Sequence, residues 1–275
     1  SLPSRGLGDV YKRQFLYSFI FLFFLGGTLW VSTRQKNLPL NISDGFIITT
    51  MFWVVLACAG SIPFYFFGLS IGDSIFESVS GITTTGATTI IGLDTLPKSI
   101  LLYRQLLQWI GGMGLIILAV AVMPALGIGG GQLYKMELPG SHGNQKLTPK
   151  ITDSAKALWK IYVGLTVLCA TLYLISGMSL FDSIAHSLST VAGGGFSTHD
   201  ESIGFFDSGL IETVCIVFML LSAASFAVHY AAIFGGKPLK YFYDSEFRFF
   251  LSVIILIIMI SLLVHIISNS YADIF

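Results

Sequence analysis

Two short segments carry the residue types of a cation site. Thr83-Thr84-Thr85-Gly86-Ala87-Thr88 and Ala192-Gly193-Gly194-Gly195-Phe196-Ser197 combine glycine with hydroxyl side chains. Glycine admits backbone conformations closed to other residues. A chain freed in this way can turn successive carbonyl oxygens toward one axis, where they replace the water shell of an ion. The candidate ion-binding residues are Thr84, Thr85, Gly86 and Ala87 in the first segment and Gly194, Gly195 and Phe196 in the second. The hydroxyls of Thr84, Thr85 and Ser197 are candidate additional ligands. No nucleophile paired with a base and no carboxylates converging in one cleft stand out along the chain, so no enzymatic chemistry is expected.

Both segments belong to a longer echo that must position them. Asp73 to Thr89, DSIFESVSGITTTGATT, falls without a gap on Asp182 to Thr198, DSIAHSLSTVAGGGFST, 109 positions later. Asp73/Asp182, Ser74/Ser183, Ile75/Ile184, Ser78/Ser187, Ser80/Ser189, Gly86/Gly195 and Thr89/Thr198 are identical. A fixed-period echo marks a duplicated structural unit. Each copy opens with Asp-Ser, the expected N-cap, and continues as about two turns of helix. The Thr/Ser/Gly segment beyond cannot continue it. Irregular backbone at membrane depth is tolerated only where it faces water or ions, so each copy reads as a re-entrant pore loop. The negative C-terminal end of each short helix would point at the same place and favour a cation.

Composition sets the medium. Of 275 residues 54% are hydrophobic and 11% charged, against roughly 25% charged in soluble domains. An integral membrane protein is expected. The formal net charge of zero gives no hint of nucleic acid. Cys58, Cys169 and Cys215 sit inside apolar runs, where packing is the expected role; they fit neither a disulfide framework nor a zinc site. Six segments, 15–32, 45–68, 100–123, 157–176, 209–234 and 247–267, approach the roughly 20 apolar residues that span a bilayer.

These spans divide the chain. Residues 1–14 read as a non-native scar, 15–44 as an N-terminal transmembrane helix with a cytoplasmic loop, and 45–126 as a first pore repeat with helix and filter at 73–90. Residues 127–156 form a cytoplasmic linker, 157–234 a second repeat with helix and filter at 182–199, and 235–275 the start of a truncated third. Lysine and arginine concentrate in the linkers (Arg34, Lys36, Lys135, Lys146, Lys150, Lys156, Lys237, Lys240, Arg248), whereas the loop sides carry only Lys98 and Arg104. By the positive-inside rule the linkers are cytoplasmic and both loops enter from outside. Asp182, Asp200, Glu201 and Asp207 would form acidic mouths that concentrate cations.

Other motifs have plainer readings. Gln108-Trp109-Ile110-Gly111-Gly112-Met113-Gly114 is assigned to close helix packing. Gly127-Ile128-Gly129-Gly130-Gly131 lacks the ending of a phosphate loop and reads as a cytoplasmic turn. Asn41-Ile42-Ser43 falls on the inferred cytoplasmic side and is set aside as a glycosylation site. His199, Asp200 and Glu201 read as an acidic vestibule, not a metal site. Glu77, paralleled by His186, is ionisable at membrane depth and so functional by default; the alternative is a buried hydrogen bond behind the filter.

SGITTTGATTIIGLDTLPKSILLYRQLLQWIGGMGLIILAVAVMP, LSTVAGGGFSTHD and GGGQLYKMELPG resemble the TrkH family. These are membrane subunits of Trk potassium uptake systems, in a superfamily with KtrB and the fungal Trk transporters. The resemblance runs from about Phe15 to Phe275. It implies an all-α integral membrane protein of repeated helix–pore loop–helix units, potassium-channel-like, truncated here after about two of four repeats. Each repeat gives one filter strand with a key glycine, by motif position Gly86 and Gly195. It further implies potassium as the transported substrate, held by the carbonyls of Thr85, Gly86, Gly194 and Gly195, with no bound cofactor. The implied partners are membrane lipid, a second copy in a homodimer, and a cytosolic nucleotide-binding regulatory subunit resembling TrkA, with no nucleic acid. The implied location is the bacterial cytoplasmic membrane. Gly193 departs from the family pattern, where a larger residue is expected, and a looser filter backbone would result. A closed four-sided filter is not expected of this segment alone.

The residues by themselves leave two alternatives open. One is a broken-helix carrier of another cation or solute, which usually shows inverted repeats; here both copies run the same way. The other is a non-conducting membrane scaffold, which would not require glycine in register at Gly86 and Gly195.

Overall fold

The computed structural model describes residues 4–33, 42–114, 151–224, 226–233, 235–236 and 239–272. The regular structure among these residues is helical, with no strand. The helices are α1 (Ser4–Thr33), α2 (Ile42–Phe67), α3 (Ile71–Ile82), α4 (Lys98–Gly112), α5 (Ile151–Ile175) and α6 (Leu180–Ala192), then α7 (Gly209–Ala223), α8 (Phe226–Ile233), α9 (Lys240–Tyr243) and α10 (Ser245–Ala272). Single 3-10 turns at Leu93–Thr95 and Ser202–Phe206 come after the two loops. Most of the expected linker, Gly127–Gly131, Asn41 and the Asp273–Phe275 ending lie outside the described residues. The chain divides into two units, Ser1–Tyr134 with Lys150–Ala223, and Lys135–Pro149 with Ala224–Phe275.

Among the described residues four helices are long and apolar enough to cross a membrane, within Phe15–Thr33, Thr50–Phe67, Lys156–Ile175 and Ser245–Ser268. One expectation changes. The span expected over 209–234 is two helices, α7 and α8, and nothing in the described residues explains why it breaks at Ala224. α1 runs without interruption from Ser4 through residue 14 into the apolar span beginning at Phe15.

In the first unit the 109-residue echo extends upstream of the pore helices. α2 ends on Gly68 at φ +114° and α5 on Gly177 at φ +108°, a left-handed conformation that glycine adopts without penalty. Leu69 N–H then bonds the Phe64 carbonyl at 3.2 Å, and Met178 N–H bonds that of Tyr173 at 3.1 Å. The expected Asp-Ser cap lies three residues too late. The N-caps are Ser70 and Ser179, whose Oγ atoms accept the N–H of Asp73 and Asp182 at 3.1 Å. Each serine hydroxyl donates to the same aspartate's carboxylate at 2.6 Å. Aspartate belongs in the first turn because its charge faces the positive end of the helix, and Ser-x-x-Asp is the pattern to read.

Close approach, not bulk, holds these helices, as suits a bilayer. Ser78 donates to the Ala57 carbonyl of α2 at 2.6 Å, and Tyr103 donates to that of Gly60 at 2.8 Å. Phe64, Ile82, Ile100 and Leu107 close the apolar cluster between α2, α3 and α4. α4 crosses the ends of both pore helices. A Cβ at Gly111 would overlap the Ile82 carbonyl, and one at Gly112 would press on Ala192 and the Tyr162 hydroxyl. This pair of glycines is packing, as the sequence indicates. In the second unit, Tyr241 of α9 shares a 2.6 Å hydrogen bond with His229 of α8, and Asp244 caps α10 through Phe247 N–H at 3.0 Å.

Ser70→Ala and Ser179→Ala should each remove about 1 kcal/mol, the usual worth of an N-cap. In thermal unfolding of the purified protein in detergent this is a shift of about 2–4 °C. Ser252→Ala, which removes an exposed hydroxyl bonded within α10, should leave the midpoint in place.

Candidate functional site

The two loops are one object built twice. The chain leaves α3 and α6 by the same turn: Thr85 N–H bonds the Ser80 carbonyl and Gly194 N–H that of Ser189, both at 2.9 Å. Left-handed residues then alternate, Thr84 (φ +56°) and Gly86 (φ +77°) in the first loop, Gly193 (φ +67°) and Gly195 (φ +85°) in the second. The conformation required at Thr84 and Gly193 is therefore shared. Thr84 holds it against the steric preference of a β-branched residue, and Gly193 holds it without strain. The departure expected to loosen the second strand meets a conformation that glycine fits well. Space is available there too, since a Cβ at Gly193 would find nothing closer than Ser222 Oγ at 3.9 Å.

Hydrogen bonding sorts the carbonyls. Ser80 Oγ donates to the Ala87 carbonyl at 2.6 Å and Ser189 Oγ to that of Phe196 at 2.7 Å. Ala87 and Phe196, expected among the ion ligands, have their oxygens turned back to their own pore helices. Among the described residues no N–H or O–H bonds the carbonyls of Thr84, Thr85, Gly86, Gly193, Gly194 or Gly195. The two strands touch here, for a Cβ at Gly86 would overlap the carbonyl oxygen of Gly194. The Ser197 hydroxyl, another expected ligand, is buried behind the strand against His186 Nε2 at 2.9 Å. Thr85 Oγ1 shares a 2.8 Å bond with Thr83 Oγ1.

Behind the strands the echo continues with a change of residue. Glu77 accepts the Thr88 hydroxyl at 2.5 Å and Thr89 N–H at 2.7 Å. Thr88 Oγ1 in turn accepts Ile90 N–H at 3.1 Å. In the second repeat His186 takes the place of Glu77, and Ser197 Oγ accepts His199 N–H at 3.0 Å. His186 Nδ1 lies 2.9 Å from the Asp182 carbonyl. A carbonyl only accepts, so in the neutral ring the proton sits on Nδ1 and Nε2 receives the serine hydroxyl. Glu77 and His186 are thus hydrogen-bonded behind the two strands.

Sequence reasoning missed two residues here. Arg104, counted among loop charges, is wholly buried in α4. Its Nε pairs with Glu77 Oε2 at 3.1 Å and its Nη2 bonds Thr88 Oγ1 at 2.9 Å. Its Nη1 crosses to the second repeat and donates to the Ser197 carbonyl at 3.3 Å, and the guanidinium lies 4.3 Å from the Phe196 ring centroid. Gln108, assigned to packing, accepts Phe196 N–H on Oε1 at 3.0 Å. The available signal was a charge and an amide four residues apart within the expected span 100–123, where ionisable groups are functional by default.

The outer ends of the loops are tied as well. Asp200 Oδ1 accepts Gly92 and Leu93 N–H, both at 3.0 Å, and His199 Nδ1 bonds Asp94 Oδ1. The expected vestibule therefore uses Asp200 and His199 to join the repeats, while Glu201 and Asp207 stay exposed. The hydrogen bond from His199 lowers the Asp94 carboxyl below its ordinary value. A depressed carboxyl stabilises the fold above its unfolded value of about 3.9 and loses that contribution as pH falls through its folded value. The contribution of the Asp94 carboxylate is therefore complete at neutral pH and is lost in acid below about pH 4.

Glu77→Ala should destabilise the protein by about 3–5 kcal/mol, because it strands a buried guanidinium. Thermal unfolding and the amount of protein in the membrane both report it. His186→Ala removes no ionic partner and should cost about 1–3 kcal/mol, the penalty of one unsatisfied buried hydroxyl.

The family model described as TrkH, cation transport protein, matches residues 11–275 of this chain. The Trk system potassium uptake protein TrkH of Vibrio parahaemolyticus is 49% identical over 264 residues, covering 94% of this chain and 54% of the relative. TrkH of Escherichia coli is 47% identical over 264 residues, with 95% and 55% covered. TrkG of Escherichia coli is 42% identical over 267 residues, with 94% and 55% covered. The crystal structure of the potassium transporter TrkH from Vibrio parahaemolyticus superposes with a TM-score of 0.76 at 46% identity, covering 91% of this chain and 51% of that one. The chain spans about half the length of the curated relatives it matches. It is a member of the TrkH family of cation transport proteins.

Proposed function

We propose that this chain forms part of a potassium uptake pathway across the bacterial cytoplasmic membrane, with Thr85, Gly86, Gly194 and Gly195 offering backbone carbonyls to the dehydrated ion. The observation that carries this reading is the row of six carbonyls, Thr84–Gly86 and Gly193–Gly195, left without donors among the described residues on two touching strands. Unpaired carbonyls at membrane depth are tolerated only where water or an ion meets them. Ligand number and field strength at such a site favour one cation over another without covalent chemistry. The names of the relatives, all Trk system potassium uptake proteins, point to the same substrate.

The reading extends to orientation and partners. Both loops enter from outside and the basic linkers face the cytoplasm. The protein works as a homodimer with a cytosolic nucleotide-binding regulatory subunit resembling TrkA. Both partners rest on the family resemblance, and pull-down of the regulator by the full-length protein tests the second.

The glycines grade the test. Gly86→Ala meets the Gly194 carbonyl as well as an unfavourable φ, whereas Gly195→Ala meets only the φ. In a full-length chain carrying this segment, expressed in a potassium-uptake-deficient bacterium, Gly86→Ala should abolish growth on low potassium. Gly195→Ala should retain uptake with weakened preference for potassium over sodium. Wild-type selectivity in both variants would remove these positions from the filter.

A further inference from the structure

Arg104 and Gln108 are one helical turn apart on α4 and both are fully buried. They belong to the first repeat, yet both hold main-chain groups of the second strand. Gln108 takes the Phe196 N–H and Arg104 the Ser197 carbonyl, with the guanidinium over the Phe196 ring. Phe196 and Ser197 come directly after Gly194 and Gly195, so these bonds fix the end from which the two candidate ligand carbonyls hang. The Gln108 amide also lies between the strands, because a Cβ at Gly194 would overlap it and its Nε2 is 3.5 Å from where a Gly86 Cβ would stand. A serine hydroxyl of its own pore helix holds each strand from behind, in the same way in both repeats. The grip of α4 reaches across repeats at the candidate ligand strand itself, whereas Asp200 and His199 join the repeats beyond it.

The echo does not repeat it. α7 starts 111 residues after α4, which sets Cys215 and Met219 in the places of Arg104 and Gln108, bonded to each other at 3.7 Å, with the exposed Thr213 and Val217 beside them. Thr213 bonds its own helix at Gly209. We infer that Arg104 and Gln108 are positioning residues for ion discrimination: by fixing the second strand against the first, they set the spacing of the Gly86 and Gly194–Gly195 carbonyls and thereby the preference for potassium over sodium. Neither side chain touches the ion. This rests on the filter reading proposed above. A filter whose strands are held by neighbours at fixed separation discriminates by ligand geometry, and a strand released at one end adapts to the smaller ion.

The experiment compares potassium and sodium uptake in liposomes holding the full-length chain that carries this segment. The variants are Gln108→Leu, Arg104→Lys and the control pair Thr213→Ala and Val217→Ala. Gln108→Leu keeps the side chain's bulk and removes the acceptor without stranding a charge. Arg104→Lys keeps the partner of Glu77 but has no planar fork to reach Thr88 and Ser197 together. Potassium selectivity in the unaltered protein is the precondition; its absence would count against the function proposed above and not against this inference. Given that selectivity, each α4 variant should lower the potassium-to-sodium ratio by roughly three- to tenfold, the equivalent of one net hydrogen bond. The ratio should fall further than the potassium flux itself, and the α7 controls should keep both. An unchanged ratio in Gln108→Leu overturns the proposal, as does an equal fall in the controls. If Arg104→Lys fails to accumulate, Gln108→Leu decides alone.

Discussion

A buried ion pair organises the first unit. Arg104 and Glu77 are both withdrawn completely from solvent, and two charges in that setting are held only if each finds further hydrogen bonds. Glu77 finds them in Thr88 and Thr89, Arg104 in Thr88 and Ser197. Those partners are the outer ends of the two glycine-rich strands. Satisfying the charges and shaping the strands are therefore the same act. The pore helix places Glu77 by its Ser70 cap, and α4 places Arg104 by its glycine crossing over Ile82 and Ala192.

The second repeat reaches the same backbone by simpler means. His186 replaces the carboxylate, and a serine replaces Thr88, yet the hydroxyl still joins the pore helix to the N–H two residues on. With a neutral ring in place of the carboxylate, that position needs no cation beside it. The asymmetry leaves Arg104, among the described residues, as the guanidinium serving both strands. The period of 109 residues thus survives in hydrogen bonding where the side chains differ. It survives in the backbone too, at Thr84 and Gly193, which share a left-handed conformation.

Much of this was legible in the sequence, for physical reasons. A membrane protein with irregular glycine-rich loops must present them twice if it presents them as a repeat, so the register of Gly86 and Gly195 and the all-helical class were readable. The family was readable from the residues around the first loop. What was not readable depends on direction. Ala87, Phe196 and Ser197 have the residue types of a filter, but Ser80, Ser189 and His186 turn their polar atoms away from the strand face. Asp200 reads as a free mouth charge until Gly92 and Leu93 arrive from the other repeat to meet it. Arg104 and Gln108 lie in α4, whose glycine pair predicts packing, and their partners in the second strand are 93 and 88 residues away.

The unpaired carbonyls of the two strands are proposed to form one cation site. The most direct measurement is anomalous scattering from crystals of the full-length chain carrying this segment, grown with thallium or rubidium in place of potassium. The expected result is a peak shared by the carbonyls of Thr85 and Gly86 on one side and Gly194 and Gly195 on the other. A heavy-ion peak elsewhere along the pathway, with these carbonyls bound to protein donors from the rest of the chain, would contradict it.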